Sequence, residues 1–242
     1  HWSDAQVAAM GAADPSAYES QMMELAAYLM DHITTRRRKV DAGEEIADDL
    51  IARLVKVREQ GKGLDDAQVL SVVSQLLVGG NETTTSLITN AVWRLLQDPN
   101  RWQTLVDNPE LVDGAIEESL RFDPPVLGLY RTVTRDVEIR GVNIPANSKV
   151  FLNYAAANRD PEAFAMPNEF QLTRPLRRHM SFGLGVHFCL GAQLARLEAH
   201  TALATLVARF PSLKLVNDGE RITPFFLWGR HRLPVAHDVA AT

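Results

Sequence analysis

Apolar residues recur every three to four positions through most of the first half of the chain, the period of helices that bury one face. Asp14-Pro15-Ser16 with Glu19 reads as a capping-box start, and Met22, Leu25, Ala26 and Leu29 then share a face, so a helix is expected to about residue 40. A second is expected over 46–60. After Gly61-Lys62-Gly63, Asp65 can cap a third, in which Val69, Val73, Leu76, Leu77, Gly80, Thr84, Leu87, Ile88, Ala91 and Leu95 hold the 3.6 period up to Asp98-Pro99. That is about 33 residues, roughly 50 Å at 1.5 Å per residue, a length suited to crossing the whole fold. Short helices are expected over 100–107 and 109–121, until Pro124-Pro125 breaks the pattern. From Arg131 to Tyr154 β-branched residues, with Gly141 and Pro145-Ala146-Asn147 as turns, read as short antiparallel strands. Irregular backbone follows to about 180, then a helix from Cys189 to Phe210, then closing strands. The fold class is mainly α with small antiparallel β-sheets, α+β.

Composition narrows the function classes. With 242 residues, 46% hydrophobic and 23% charged, the chain can bury the core of one large or two small domains. A formal charge of -5 argues against nucleic acid as a partner. The one tight basic run, Arg36-Arg37-Arg38-Lys39, reads as a solvated helix end. There is no 18-residue apolar stretch, so no membrane segment is expected. A single cysteine forms no internal disulfide, and nothing points to an oxidising compartment. The chain opens His-Trp-Ser-Asp, without methionine, as if in the middle of something longer.

The candidate chemistry centres on that cysteine. Phe182-Gly183, Gly185, His187, Cys189 and Gly191 place glycines on both sides of the sulfur, immediately before a helix. Glycine admits positive φ and close approach of a bulky group, and amides at a helix start favour a thiolate. Three anionic-sulfur readings compete. A zinc site needs more ligands at suitable spacing than the histidines supply. A cysteine hydrolase needs an oriented base, and His187 is only two residues away. The third is haem iron with an axial thiolate.

Phe-Gly-x-Gly-x-His-x-Cys-x-Gly resembles the haem-binding loop of the cytochrome P450 family. The long helix carries Gly79-Gly80-Asn81-Glu82-Thr83-Thr84, similar to the family's oxygen-activation signature, and Glu118-Ser119-Leu120-Arg121 matches its Glu-x-x-Arg motif, with Arg131 following as in the family. Order and separation agree, and the match covers essentially all of the chain. The resemblance implies a P450 fold with haem b on Cys189, cradled by Phe182, Gly183, Gly191, Gly79 and Gly80, and with His187 and Arg131 on the propionates. It implies Thr83 and Glu82 as the proton-delivering catalytic pair, and Glu118 and Arg121 as structural. Val126, Leu127, Leu129, Phe226 and Leu227 fall where the family lines its substrate cavity, and being apolar they imply a small apolar organic substrate.

The implied activity is monooxygenation: one oxygen atom of O2 enters the substrate, with electrons from a partner such as a ferredoxin. A haem-binding fragment or sensor without turnover is the alternative. A peroxide-using relative is disfavoured, because such enzymes can dispense with the acid and alcohol of Glu82 and Thr83. His187, where other branches have arginine, is similar to the soluble bacterial branch and implies a cytoplasmic protein. Two departures stand out. The family often completes the Glu-x-x-Arg network with an arginine where Pro167-Asn168-Glu169-Phe170 has glutamate. The match also corresponds only to the C-terminal three-fifths of the family's length, so 1–242 is expected to be a single incomplete domain, in which His1-Trp2-Ser3-Asp4 ends a helix pair roofing the cavity. The missing part would leave Val69, Val73, Leu76 and Leu77 partly uncovered and remove one haem wall.

Overall fold

The computed structural model describes residues 2–12, 14–59 and 62–238. Helices dominate: α1 (Trp2–Gly11), α2 (Glu19–Asp41), α3 (Leu50–Lys56), α4 (Asp66–Leu96), α5 (Pro99–Asp107), α6 (Val112–Phe122), the single turn α7 (Tyr154–Ala157) and α8 (Ala192–Arg209). The strands pair two by two, every pair antiparallel: β1 (Arg58–Glu59) with β2 (Lys62–Gly63), β3 (Gly128–Thr132) with β6 (Lys149–Asn153), and β4 (Val137–Ile139) with β5 (Val142–Ile144). Towards the end of the chain β7 (Lys214–Leu215) pairs with β10 (Val235–Ala236), and β8 (Glu220–Arg221) with β9 (Arg230–Arg232). No helix among the described residues is long and apolar enough to cross a membrane. Contacts group the chain into two compact units, 1–82 and 83–242.

In the first unit Leu25, Leu29 and Ile33 of α2, Val55 of α3 and Val69 and Val73 of α4 form one buried cluster. Val69 and Val73 are therefore covered from within the chain, contrary to expectation, while Leu76 and Leu77 are exposed. The basic run is not a solvated helix end. Arg37 donates to Asp66 and to the carbonyls of Val55 and Leu64, and Arg36 pairs with Asp49, so both guanidiniums staple α2 to its neighbours. Asp49 also caps α3 through the Ala52 amide at 2.8 Å, which starts that helix later than the apolar pattern suggests; Val57 ends it by turning extended. At the head of α2 the cap is Asp14, whose carboxylate takes the Ser16 amide and starts a 3-10 turn before the α-helix begins at Glu19. The segment 109–121 likewise divides into a 3-10 turn, Pro109–Leu111, and α6.

In the second unit the far half of α4 (Leu87, Val92, Leu95) packs with Trp102 and Leu105 of α5, Ile116 and Leu120 of α6, and Ala199, Leu203 and Val207 of α8. Glu118 and Arg121 are almost fully buried on α6. The Glu118 carboxylate accepts from Arg121 at 2.7 and 2.8 Å, from Arg174 at 2.9 and 3.0 Å, and from the Gln171 amide at 2.9 Å. Arg174 is thus the third partner that residue 169 lacks; Glu169 lends its carbonyl, which takes Arg121 at 3.0 Å. Sequence reasoning stopped at the aligned position, and the guanidinium comes from five residues further on.

Arg174→Ala leaves the Glu118 charge with one guanidinium instead of two and is expected to cost about 1.5–3 kcal/mol, the range for hydrogen bonds to charged groups. Arg174→Lys recovers only part, because ammonium cannot reproduce a fork that also holds the carbonyls of Ala165, Met166 and Glu169. Urea unfolding of the variants checks this; a wild-type midpoint for Arg174→Ala would contradict it.

Candidate functional site

The segment 180–191 folds as a loop whose turns glycine alone takes without strain. Gly183 and Gly185 have φ of +70° and +69°, and Gly183 donates its amide to the Met180 carbonyl at 2.8 Å. Gly191, by contrast, has φ of -84° and serves as N-cap of α8, which begins at Ala192 rather than at the cysteine. The loop closes where the Cys189 amide donates to the Phe182 carbonyl at 2.9 Å, and the Ala192 amide to the Cys189 carbonyl at 3.3 Å. Cys189 itself is exposed. Its apolar neighbours Leu184, Val186, Phe188 and Leu190 are exposed as well, Val186 by 96% and Leu190 by 88%. Among the described residues the amides of Leu190 and Gly191 donate to no backbone carbonyl, and they precede Ala192 at the positive end of α8.

The loop is anchored from below. Asn158, fully buried, takes the Met180 amide at 2.6 Å and donates to Ser181 Oγ at 2.9 Å, and that hydroxyl donates to the Leu120 carbonyl at 2.6 Å. His179 Nδ1 accepts the Ser181 amide at 3.3 Å, which leaves Nε2 to donate to Glu117 at 3.1 Å. Glu117 also takes a two-pronged contact from Arg196 at 2.6 and 3.0 Å. Burial pushes the Glu117 carboxyl up, but the hydrogen bonds from His179 and Arg196, and their charges, outweigh it and hold the group at about 2 instead of 4.5. None of these partners was read from the sequence: apart from the local Ser181–His179 contact, each pairing joins residues far apart in the chain.

The other expected residues fall in separate places. On α4, helical throughout, Glu82 is half-buried and accepts from Ser3 Oγ on α1 at 3.0 Å and from the Asn81 amide group at 3.3 Å. Thr83 is half-buried, and a methyl built on Gly79 or Gly80 would meet nothing within 4 Å. His187 is exposed in a 3-10 turn, Gly185–His187. Arg131 is exposed on β3 opposite Val150, donating to the Tyr130 carbonyl at 2.9 Å. Four of the five apolar lining candidates meet: Val126 bridges Leu227, and the Leu127 amide donates to the Phe226 carbonyl at 2.8 Å. Leu129, one register further along β3, is exposed, whereas Leu227 is 7% exposed and belongs to the core. Beside them lies an aromatic group that sequence reasoning missed, Tyr130, Phe151 and Phe225, with ring centres 5.0 to 6.4 Å apart. Gly128 makes room for it, since a methyl there would sit 2.6 Å from the Phe151 ring.

The Cytochrome P450 family model matches residues 13–234. The chain belongs to the cytochrome P450 family. The putative cytochrome P450 YjiB of Bacillus subtilis (strain 168) is 41% identical over 201 residues, which are 83% of this chain and 48% of that protein. Among solved structures, P450BioI in complex with acyl carrier protein ligated to hexadec-9Z-enoic acid gives a TM-score of 0.89 at 34% identity, over 98% of this chain and 60% of that one. CYP109E1 from Bacillus megaterium in complex with testosterone gives 0.85 at 33% identity, over 98% and 64%. The chain spans about half the length of the curated relatives it matches.

Cytochromes P450 use haem b, and the P450 loop found here fits such a group. An exposed thiol at a helix N-terminus, followed by amides that donate to no backbone carbonyl and flanked by exposed apolar side chains, is a donor set for a large flat apolar cofactor with a metal centre. Among the described residues no group of three or more His, Cys, Asp or Glu is placed to hold a metal ion.

The lowered Glu117 carboxyl yields a pH prediction. A group that binds its proton more weakly when folded stabilises the protein above its unfolded value, and this contribution is lost as pH falls from about 4.5 to about 2. Glu117→Gln is expected to be less stable at neutral pH and to lose less stability across that window. Unfolding midpoints at a series of pH values check this; parallel wild-type and variant curves would contradict it.

Proposed function

We propose that the protein is a haem-thiolate monooxygenase acting on apolar organic substrates. The observation that supports this most strongly is the loop in which Gly183 and Gly185 turn the backbone so that Cys189 stands exposed at the start of α8. Bound haem supplies the oxygen-activating chemistry, and thiolate ligation is the known way to favour O–O cleavage.

In this reading each residue of the chain has a limited task. Cys189 holds the iron as a thiolate, and the amides of Leu190 and Gly191 stabilise its charge. Arg131 and His187 would donate hydrogen bonds to the propionates, the arginine with charge assistance. Phe182, Gly183 and Gly191 would shape the loop that holds the cofactor, and Gly79 and Gly80 are the family-matched cofactor positions on α4. Glu82 holds a proton and Thr83 orients its transfer. Ser3 keeps the Glu82 carboxylate in place. Val126, Leu127, Leu129 and Phe226, with Tyr130 and Phe225 beside them, exclude water and bind substrate by apolar contact, with Leu227 supporting from the core. Testosterone on CYP109E1 and the hexadecenoic chain on P450BioI are both largely apolar, which supports the same substrate class here. Electrons come from a partner such as a ferredoxin, and the protein works in the cytoplasm.

Cys189→Ser is expected to abolish the red-shifted carbon-monoxide band of the reduced haem protein; an unchanged band would remove Cys189 as the ligand. Thr83→Ala is expected to keep haem content and the substrate-induced spectral shift while product formed falls about 100-fold, the low end of general acid–base effects, and reductant is still consumed. Product formation that keeps pace with reductant consumption would remove Thr83 from the mechanism.

A further inference from the structure

Beneath the cysteine loop lies an ion pair with no part in the proposed mechanism. Arg196, one turn into α8, donates Nε to Glu117 Oε1 and Nη2 to Oε2, a forked contact that fixes the guanidinium plane. The guanidinium carbon lies 4.6 Å from the centre of the Phe182 ring. Phe182 is the residue whose carbonyl accepts the Cys189 amide. The cation is thus stacked on the ring of the residue whose backbone carbonyl accepts the Cys189 backbone amide. Arg196 is also held above its ordinary pKa, first by the hydrogen bond to Glu117, against the pull of burial, and then by negative charge on Glu117 and on Cys189. The ring stack on Phe182 and the Phe182–Cys189 backbone bond place the guanidinium against the same loop that carries the sulfur. Glu117 in turn receives His179, which fixes the Ser181 amide at the entrance to the loop.

We infer that Glu117 and Arg196 act as a positioning pair that sets how strongly Cys189 donates electron density to bound iron, Arg196 drawing on the thiolate charge and Glu117 offsetting it. The inference rests on the reading of Cys189 as the iron ligand. Its physical basis is that both side chains are only partly exposed, Arg196 by 31% and Glu117 by 23%, so water screens the two charges incompletely. A positive charge near the ligand favours the reduced iron, which carries one more electron; a negative charge disfavours it. Neutralising one member or the other must then move the reduction potential in opposite directions. If the pair only held the loop mechanically, either substitution would break the same hydrogen bonds and both would move it the same way.

The experiment measures the ferric–ferrous midpoint potential of the haem-loaded protein by spectroelectrochemical titration, for wild type, Arg196→Gln, Glu117→Gln and Arg196→Lys. The expected result is a shift to more negative potential for Arg196→Gln, to more positive potential for Glu117→Gln, and little change for Arg196→Lys, which keeps the charge. Shifts of one sign in both neutralising variants, or no shift in either, would overturn the inference. Should Arg196→Gln fail to take up haem, the other two decide: a positive shift in Glu117→Gln with Arg196→Lys near wild type supports it, and any other pattern overturns it. The underlying reading is scored separately, on the wild type alone. A reduced carbon-monoxide complex without the thiolate-shifted band would overturn Cys189 as ligand, whatever the potentials.

Discussion

A single buried carboxylate, Glu118, constrains much of the second unit. An ionised group this deep is tolerated only when its lone pairs are met, and removing any partner exposes the cost of having buried the charge. Glu118 meets the requirement with two guanidiniums and a backbone amide, and each guanidinium brings further backbone with it. Arg121 collects the carbonyls of Asn158, Pro167 and Glu169; Arg174 collects those of Ala165, Met166 and Glu169. Irregular chain that no regular ladder orders is thereby fixed to α6. Asn158 then passes the constraint on, its side chain accepting the Met180 amide and donating to the Ser181 hydroxyl where the cysteine loop begins.

The neighbouring Glu117 extends the same logic to the other side of the loop. Two adjacent carboxylates on one helix divide their partners, Glu118 ordering the chain before the loop and Glu117 gripping α8 through Arg196 after it. Between these anchors the loop itself uses few bonds, and positive-φ glycines allow its tight path. The result is a thiol presented at a helix start on rigid supports, with apolar side chains standing exposed beside it. Such exposure is costly in water, and a flat apolar partner would offset it.

What was legible in the sequence was what repeats or what sits close together. The 3.6 period marked α4 within a few residues of its ends, and Glu118 and Arg121 lie one turn apart, so their pairing could be read directly. The glycine pattern around Cys189 announced a tight loop, and positive φ followed at Gly183 and Gly185 though not at Gly191, where the cap of α8 needs none. What stayed hidden was long-range pairing of charges. Arg174, Arg196 and His179 find their carboxylates across 56, 79 and 62 residues, and no local pattern marks such contacts. The same blindness made Arg36 and Arg37 look like a solvated helix end when they are staples. The aromatic group of Tyr130, Phe151 and Phe225 escaped notice because a strand pairing and a distant hairpin bring it together.

The central claim is that this scaffold exists to hold one sulfur against iron. X-ray absorption at the iron edge of the haem-loaded protein tests it most directly, because it counts the atoms bound to the metal and does not depend on turnover, substrate or electron partner. The account predicts one sulfur neighbour in addition to the porphyrin nitrogens, absent when Cys189 is replaced by serine. A first shell of nitrogen and oxygen alone in the unaltered protein would contradict it.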